Sequence, residues 1–146
     1  MQINNWKHNL SAEDRLIKRY LQTKRRGVIF TEVTVDNHPD NGGRARRLDA
    51  VRILDLRLRD GWDRVHQYSQ NRRKLKDAIN GHPVEVIEAK RALGRSVVGQ
   101  VIVGAELLKM KYRVGPVQKT VVCLRGNRSI EKVCKNLGIH VKVYER

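Results

Sequence analysis

The sequence predicts an α/β fold in which a mixed central sheet is flanked by helices. Runs of β-branched residues such as 28–35 are typical of strands, whereas 16–21 repeats apolar residues at helical spacing. Segments 118–124, 129–137 and 139–144 read in turn as strand, helix and strand, an order that favours a parallel crossover. The chain has 146 residues, and we expect it to form one domain.

The first half of the chain begins with a helix from Ser11 to about Arg25. Ser11 is a suitable N-cap, with Asp14 three residues later. The strand 28–35 leads into segment 36–43, whose Asp, Asn, Pro and Gly residues predict a loop. Alternating apolar residues then predict a second strand, which contains Asp49 and extends from about Arg47 to Asp60 and Gly61.

The second half begins with the region that is hardest to assign. Spacing of apolar residues favours a basic helix from about Asp63 to Asn80, so that 60–80 could be a basic insertion in the domain. Residues 83–90 form the next predicted strand, bounded by turn residues before it and Gly94 after it. A helix capped by Ser96 and running to about Tyr112 follows.

The composition points to a polyanionic partner. Lys and Arg number 31 against 15 Asp and Glu, which gives a net charge of +16. Such an excess favours nucleic acid, and we expect no membrane partner because no apolar run approaches the roughly 20 residues that a span needs. Cys123 and Cys134 are expected to be buried thiols, which favours an intracellular, cytoplasmic location. Composition does not separate an enzyme from a binding protein.

Two predicted strands carry charges at the end of an apolar face. Val84, Val86, Glu88 and Lys90 alternate onto one face. In segment 47–53, Asp49, Val51 and Ile53 also share a face, here with the charge first. Antiparallel pairing would place Asp49 beside Glu88, with Cβ atoms roughly 4.5–5.5 Å apart. Two carboxylates at that separation can share a divalent cation. The alternative is a Glu88–Lys90 surface pair on an edge strand, but the mirrored position of Asp49 favours the cation site.

Other acidic and polar residues compete for, or add to, this site. Glu13 lies on the apolar face of the first helix, either as a favourable charge at the helix N-terminus or as part of a metal site. Gln100 falls in the first turn of the helix after Lys90. Asp40 lies in a predicted loop and Asp55 at the far end of its strand, so both are weaker candidates than Asp49. The five histidines are scattered and show no metal-ligand spacing.

Arginines near these elements are candidates for contacts with a phosphate backbone, although a solvated basic loop is equally compatible with the first three. They are Arg44, Arg46, Arg47, Arg72, Arg73, Arg91 and Arg95.

The order of these features resembles the PD-(D/E)XK nuclease superfamily, from about Ser11 to Leu124. That family shares a restriction-endonuclease-like core of a helix, an antiparallel three-stranded unit, a helix and a further strand. Small members, such as archaeal Holliday-junction resolvases, are the most similar in size. The motifs themselves are short, and the resemblance depends on their order.

The resemblance implies a DNA endonuclease that depends on Mg²⁺, with Mn²⁺ as a substitute, and that acts as a homodimer. It implies catalytic roles for Asp49, Glu88, Lys90, Gln100 and Glu13. It implies metal ligation by Asp49, Glu88, the Ala89 carbonyl and Glu13.

The chain departs from the family pattern on both sides of Asp49. Leu48 stands where the family usually has proline, and the segment between Asp49 and Glu88 is longer than usual. A non-catalytic basic nucleic-acid-binding protein is therefore the alternative, and a subunit of a larger machine is a third hypothesis.

Overall fold

The computed structural model describes residues 10–24, 26–36, 46–55 and 64–145, which form an α/β fold. Its helices are α1 (Ala12–Gln22), α2 (Arg72–Ile79), α3 (Arg95–Lys111) and α4 (Arg128–Asn136). Its strands are β1 (Val28–Asp36), β2 (Arg46–Ile53), β3 (Val65–Gln67), β4 (Val84–Ala92), β5 (Val117–Arg125) and β6 (Ile139–Glu145). One turn of 3-10 helix, Tyr68–Gln70, precedes α2.

The strands of the described residues form a single sheet in the order β3-β1-β2-β4-β5-β6. β2 pairs antiparallel with both β1 and β4, while β3 pairs parallel with β1, and β4, β5 and β6 pair parallel in succession. The parallel pairs β4–β5 and β5–β6 follow from the crossovers through α3 and α4, since consecutive parallel strands need a crossover connection. The expected mixed sheet flanked by helices is therefore confirmed.

The sheet is the middle of three layers. On one face, α1 buries Leu16, Ile17, Tyr20 and Leu21 against residues of β1, β2, β4 and β5. On the other face, α3 packs with α2 and Cys134 of α4 over a larger apolar cluster. Cys123 and Cys134 are both buried free thiols, as expected. Among the described helices, none has the length and apolar character to cross a membrane.

A fork opens in the sheet where β2 leaves β4. Pairing between these strands extends only from Ile53↔Val84 to Ala50↔Ile87. Beyond that point β2 stays with β1 as far as the pair Asp36↔Arg46, whereas β4 stays with β5 as far as Ala92↔Arg125. The two strands therefore diverge immediately after the row that contains Ala50 and Ile87.

The observed helix ends agree in part with those predicted from the sequence. The Ser11 hydroxyl accepts a hydrogen bond from the Asp14 N–H, and the Asp14 carboxylate accepts from the Ser11 N–H, so the expected cap is confirmed as a reciprocal capping box. α1 ends at Gln22 rather than near Arg25. The assignment of Ser96 as a cap was wrong, because α3 begins at Arg95 after Gly94, without a side-chain cap.

The predicted helix over 63–80 is wrong in its first half. Val65–Gln67 is a strand that pairs parallel with β1, and the His66 ring stacks on that of Phe30 at 5.1 Å between centroids. Arg64, just before it, donates hydrogen bonds to carbonyls at the C-terminal end of α1, including those of Leu21 and Lys24. Sheet pairing therefore overrides a helical spacing, and the helix begins only at Arg72.

The second strand is shorter than its apolar alternation predicted. β2 ends at Ile53, and the next backbone N–H, that of Leu54, donates to the Pro83 carbonyl at 3.0 Å in a turn. The expected continuation to 60 and 61 and the expected loop over 37–43 lie outside the described residues.

Candidate active site

Asp49 lies in the fork between β2 and β4. Continuing the β2–β4 register by one residue places Asp49 opposite Glu88. The backbones no longer pair there, and the Asp49 Oδ2 atom instead accepts a hydrogen bond from the Ala89 N–H at 2.9 Å. A side-chain oxygen thus replaces a backbone acceptor at the point where the ladder opens, and this contact fixes the orientation of the Asp49 carboxylate.

Glu88 brings a second carboxyl group to the same place. Its side chain is buried, with 5% of the residue exposed, and the two carboxyl groups are within hydrogen-bonding reach of each other. Burial, followed by the negative charge of Asp49, raises the pKa of Glu88 to about 9. Burial also raises the pKa of Asp49, to which the nearby charges of Asp14 and Glu13 contribute. The pair therefore holds one proton at neutral pH.

The two carboxyl groups line an open cleft with a volume of about 720 Å³. Among the residues that the structure describes, five acidic and three basic residues line it, so this part of the cleft is acidic in a protein whose net charge is +16. These acids are Glu13, Asp14, Glu32, Asp49 and Glu88. The basic residues of the lining are Arg46, Arg47 and Lys90. A cleft that combines acidic with basic residues suits a cation that binds together with an anionic ligand.

The cleft brings together the residues that the sequence assigned to a catalytic site. α1 contributes Glu13, β2 contributes Asp49, β4 contributes Glu88, Ala89 and Lys90, and α3 contributes Gln100. Lys90 and Gln100 are both exposed.

The predicted basic residues divide into two groups. Arg46 and Arg47 line the cleft and are exposed. Four others are exposed but do not line it, namely Arg72, Arg73, Arg91 and Arg95. Arg44 and Asp40 lie outside the described residues. The rival Asp55 pairs instead with His82 Nδ1 at 2.6 Å, at the opposite end of β2.

The expected alternation of faces breaks at Asp49. Leu48 packs in the same apolar cluster as Val51 and Ile53, whereas Ala50 faces α1, so Asp49 does not simply share a face with Val51 and Ile53 as predicted. β1 shows a matching break at Glu32, the residue opposite Asp49, whose φ is 53°. Side-chain alternation is therefore interrupted in both strands at the position where the Asp49 carboxylate enters the fork.

Sequence reasoning missed Glu32 and Asp14 as cleft residues. Glu32 is the one charged residue within 28–35, a signal that could have identified it. Asp14 was assigned only to the helix cap, and its hydrogen bonds with Ser11 satisfy that role. Its position in the cleft wall depends on how α1 docks on the sheet, which the sequence does not show.

A buried ion pair behind the site was also missed. Glu85 is fully buried and accepts hydrogen bonds from Tyr20 Oη at 2.6 Å, Arg52 Nε at 2.9 Å and Thr120 Oγ1 at 2.7 Å. The acceptor and its donors belong to four elements, so this network fixes α1 relative to β2, β4 and β5. It thereby sets the position of Glu13 relative to the carboxyl pair.

The donor set suits a hard divalent cation that keeps part of its water shell. Among the described residues, no three His, Cys, Asp or Glu side chains are close enough together to hold an ion by themselves. Asp49 and Glu88, with the Ala89 carbonyl, would supply the small number of oxygen ligands that Mg²⁺ takes from proteins. Glu13 lies in the cleft wall and would act through water. A cation would also replace the proton that the two carboxyl groups now share.

Comparison of the chain with protein-family models, with curated proteins and with solved structures finds no match. The function is therefore inferred from the geometry of the cleft.

Proposed function

We propose that this protein is a metal-dependent nuclease that hydrolyses phosphodiester bonds in DNA. The observation that carries the proposal is the pair of carboxyl groups at the fork in the sheet, the buried Glu88 and the half-buried Asp49, with Lys90 in the same cleft. The net charge of +16 supports a polyanionic substrate.

Each residue of the cleft has a separate role in the proposed hydrolysis. When bound, Mg²⁺ would polarise the phosphate and lower the pKa of a coordinated water. Asp49 and Glu88 would hold the ion, and the Ala89 N–H keeps the Asp49 carboxylate in position. The Lys90 ammonium orients the attacking water and offsets charge on the phosphate. Gln100 and Glu13 position water from the two helix walls.

The arginines of the cleft would hold the substrate. Arg46 and Arg47 bind phosphates of the substrate backbone, a contact that depends on salt and does not select a base sequence. Arg72, Arg73, Arg91 and Arg95, which lie outside the cleft, would extend the same kind of contact, and we propose the same role for Arg44.

The order of elements supports a restriction-endonuclease-like core. α1, the antiparallel unit β1-β2-β4, α3 and β5 follow one another as that core requires, and β3 and α2 form an insertion between β2 and β4. We further propose a homodimer inside the cell, since cutting both strands of a duplex calls for two such sites. Light scattering should then give twice the chain mass of 16.9 kDa.

A cleavage panel tests the proposed function. Linear duplex, plasmid, four-way junction, single strand and RNA are incubated with Mg²⁺, with Mn²⁺ or with EDTA. DNA should be cut only with a metal ion, and Asp49→Ala or Lys90→Ala should lower the rate by about 10²–10⁴-fold while DNA binding persists. Asp55→Ala, which removes an exposed acid at the other end of β2, is the matched control and should cut normally.

Wild-type protein that binds DNA but does not cut any member of the panel with either metal would contradict the nuclease. The non-catalytic nucleic-acid-binding protein would then be the better interpretation of the same basic chain.

A further inference from the structure

Two cations converge on one tyrosine on the face of the sheet that carries α1. The Arg19 guanidinium carbon lies 4.1 Å from the centre of the Tyr144 ring, and the Lys142 Nζ atom lies 5.4 Å from it. Arg19 belongs to α1 and Lys142 to the edge strand β6, so two different elements deliver these charges to the same ring. Packing on the ring restricts both side chains and keeps their charged groups together.

A third cation extends this cluster towards the cleft. Ala89 faces α1, and Arg91, two residues further along β4, shares its face by alternation. Arg19, Arg91 and Lys142 are exposed, and none forms an ion pair with any residue that the structure describes. We call these three residues the β6 basic surface. Three like charges on one surface repel each other, and a polyanion would relieve that repulsion.

The β6 basic surface is aligned with the carboxyl pair. Ala89, whose N–H holds Asp49, pairs with Val122, which in turn pairs with Lys142. One row of the sheet thus runs from the fork to Lys142 across two strand spacings, about 10 Å. This span corresponds to about three nucleotide steps along a DNA strand.

We propose that the β6 basic surface binds the DNA backbone a few nucleotides from the bond that is cut. The inference rests on the proposed nuclease and gives its substrate a direction, from the cleft past Arg91 to the edge strand β6. The surface makes phosphate contacts only, so it adds affinity without preference for base sequence.

The experiment measures DNA binding separately from cleavage. Fluorescence anisotropy with a labelled duplex of about thirty base pairs is recorded in EDTA over a range of NaCl concentrations, for wild type and for the double variant Arg19→Gln with Lys142→Gln. The variant should bind about fivefold to tenfold more weakly, and the slope of log affinity against log salt should become shallower by about 2. Circular dichroism and thermal unfolding verify that both proteins are folded.

The matched control removes the same charge from the other side of the sheet. Lys132 and Lys135 are exposed on α4, whose Cys134 packs in the cluster that contains α3. Lys132→Gln with Lys135→Gln should leave the salt slope as in wild type. Equal affinity and equal slope in the two double variants would overturn the inference, whether or not the protein cuts DNA. If only Arg19→Gln with Lys142→Gln lost affinity and the wild type did not cut DNA, the proposed nuclease would be contradicted. The proposal that the β6 basic surface binds DNA would still be supported.

Discussion

Glu88 retains a proton because its carboxyl group is buried beside Asp49, and this makes stability depend on pH. The folded protein holds the proton between the ordinary pKa of 4.5 and about 9, whereas the unfolded chain releases it near 4.5. The folded state therefore binds more protons within that window, and stability falls as pH rises through it. In EDTA we expect the free energy of unfolding to fall by up to about 1.4 kcal/mol per pH unit, as measured by urea denaturation.

Two variants test whether the carboxyl pair causes this slope of the free energy of unfolding against pH. Glu88→Gln should remove most of the slope and be more stable than wild type at mildly alkaline pH, while losing metal-dependent cleavage. Glu106→Gln, which changes an exposed acid on α3, should keep the wild-type slope. Saturating Mg²⁺ should flatten the slope in wild type and in Glu106→Gln, because the ion substitutes for the proton of the carboxyl pair. An unchanged slope in Glu88→Gln would contradict the shared proton.

Glu32 adopts a left-handed backbone conformation, with φ 53°, at the irregularity opposite Asp49. A side chain at this φ costs about 1 kcal/mol, which glycine avoids. We expect Glu32→Gly to raise the free energy of unfolding by about that amount and to slow cleavage, because the cleft loses an acid. Glu32→Ala retains a Cβ atom, so it should show the slower cleavage without the increase in the free energy of unfolding. Equal stability of the two variants would show that the backbone is not strained there.

The elements around the fork are held together by the buried pair Arg52–Glu85. Removing one partner leaves an uncompensated buried charge, so Arg52→Met should destabilise the protein by about 3–5 kcal/mol in urea denaturation. The double variant Arg52→Met with Glu85→Met should be considerably more stable than the single one. If the double variant were less stable than Arg52→Met, the ion pair would contribute more to the free energy of unfolding than the desolvation of its two charges costs.

Elements with strong local signals were predictable, and elements defined by pairing were not. The capping box at Ser11 and the apolar stripe of α1 are both local, so the sequence placed this helix well. β3 is only three residues long and is defined by its pairing with β1, so apolar spacing alone assigned it to a helix. Long-range hydrogen bonds decided that case.

The net charge of +16 affects the molecule as a whole in two opposite ways. Like charges repel within the folded protein, and salt screens them over a Debye length of about 10 Å at 0.1 M. We expect the melting temperature to rise between about 0.05 and 0.3 M NaCl while affinity for DNA falls over the same range. Calorimetry and anisotropy measure the two effects, and a melting temperature that drops with NaCl would contradict the first.

The sequence alone determined the two element types, the mixed sheet, the basic character of the chain and the choice of Asp49, Glu88 and Lys90 as candidates. These follow from periodicity, charge and residue chemistry, which are written locally in the chain. Only the tertiary structure decided that β2 and β4 diverge after Ala50 and Ile87, and that Glu32 joins the cleft. It also placed Lys142 in the row of Ala89. Such relations depend on strand order and register, which arise from contacts between residues far apart in the chain.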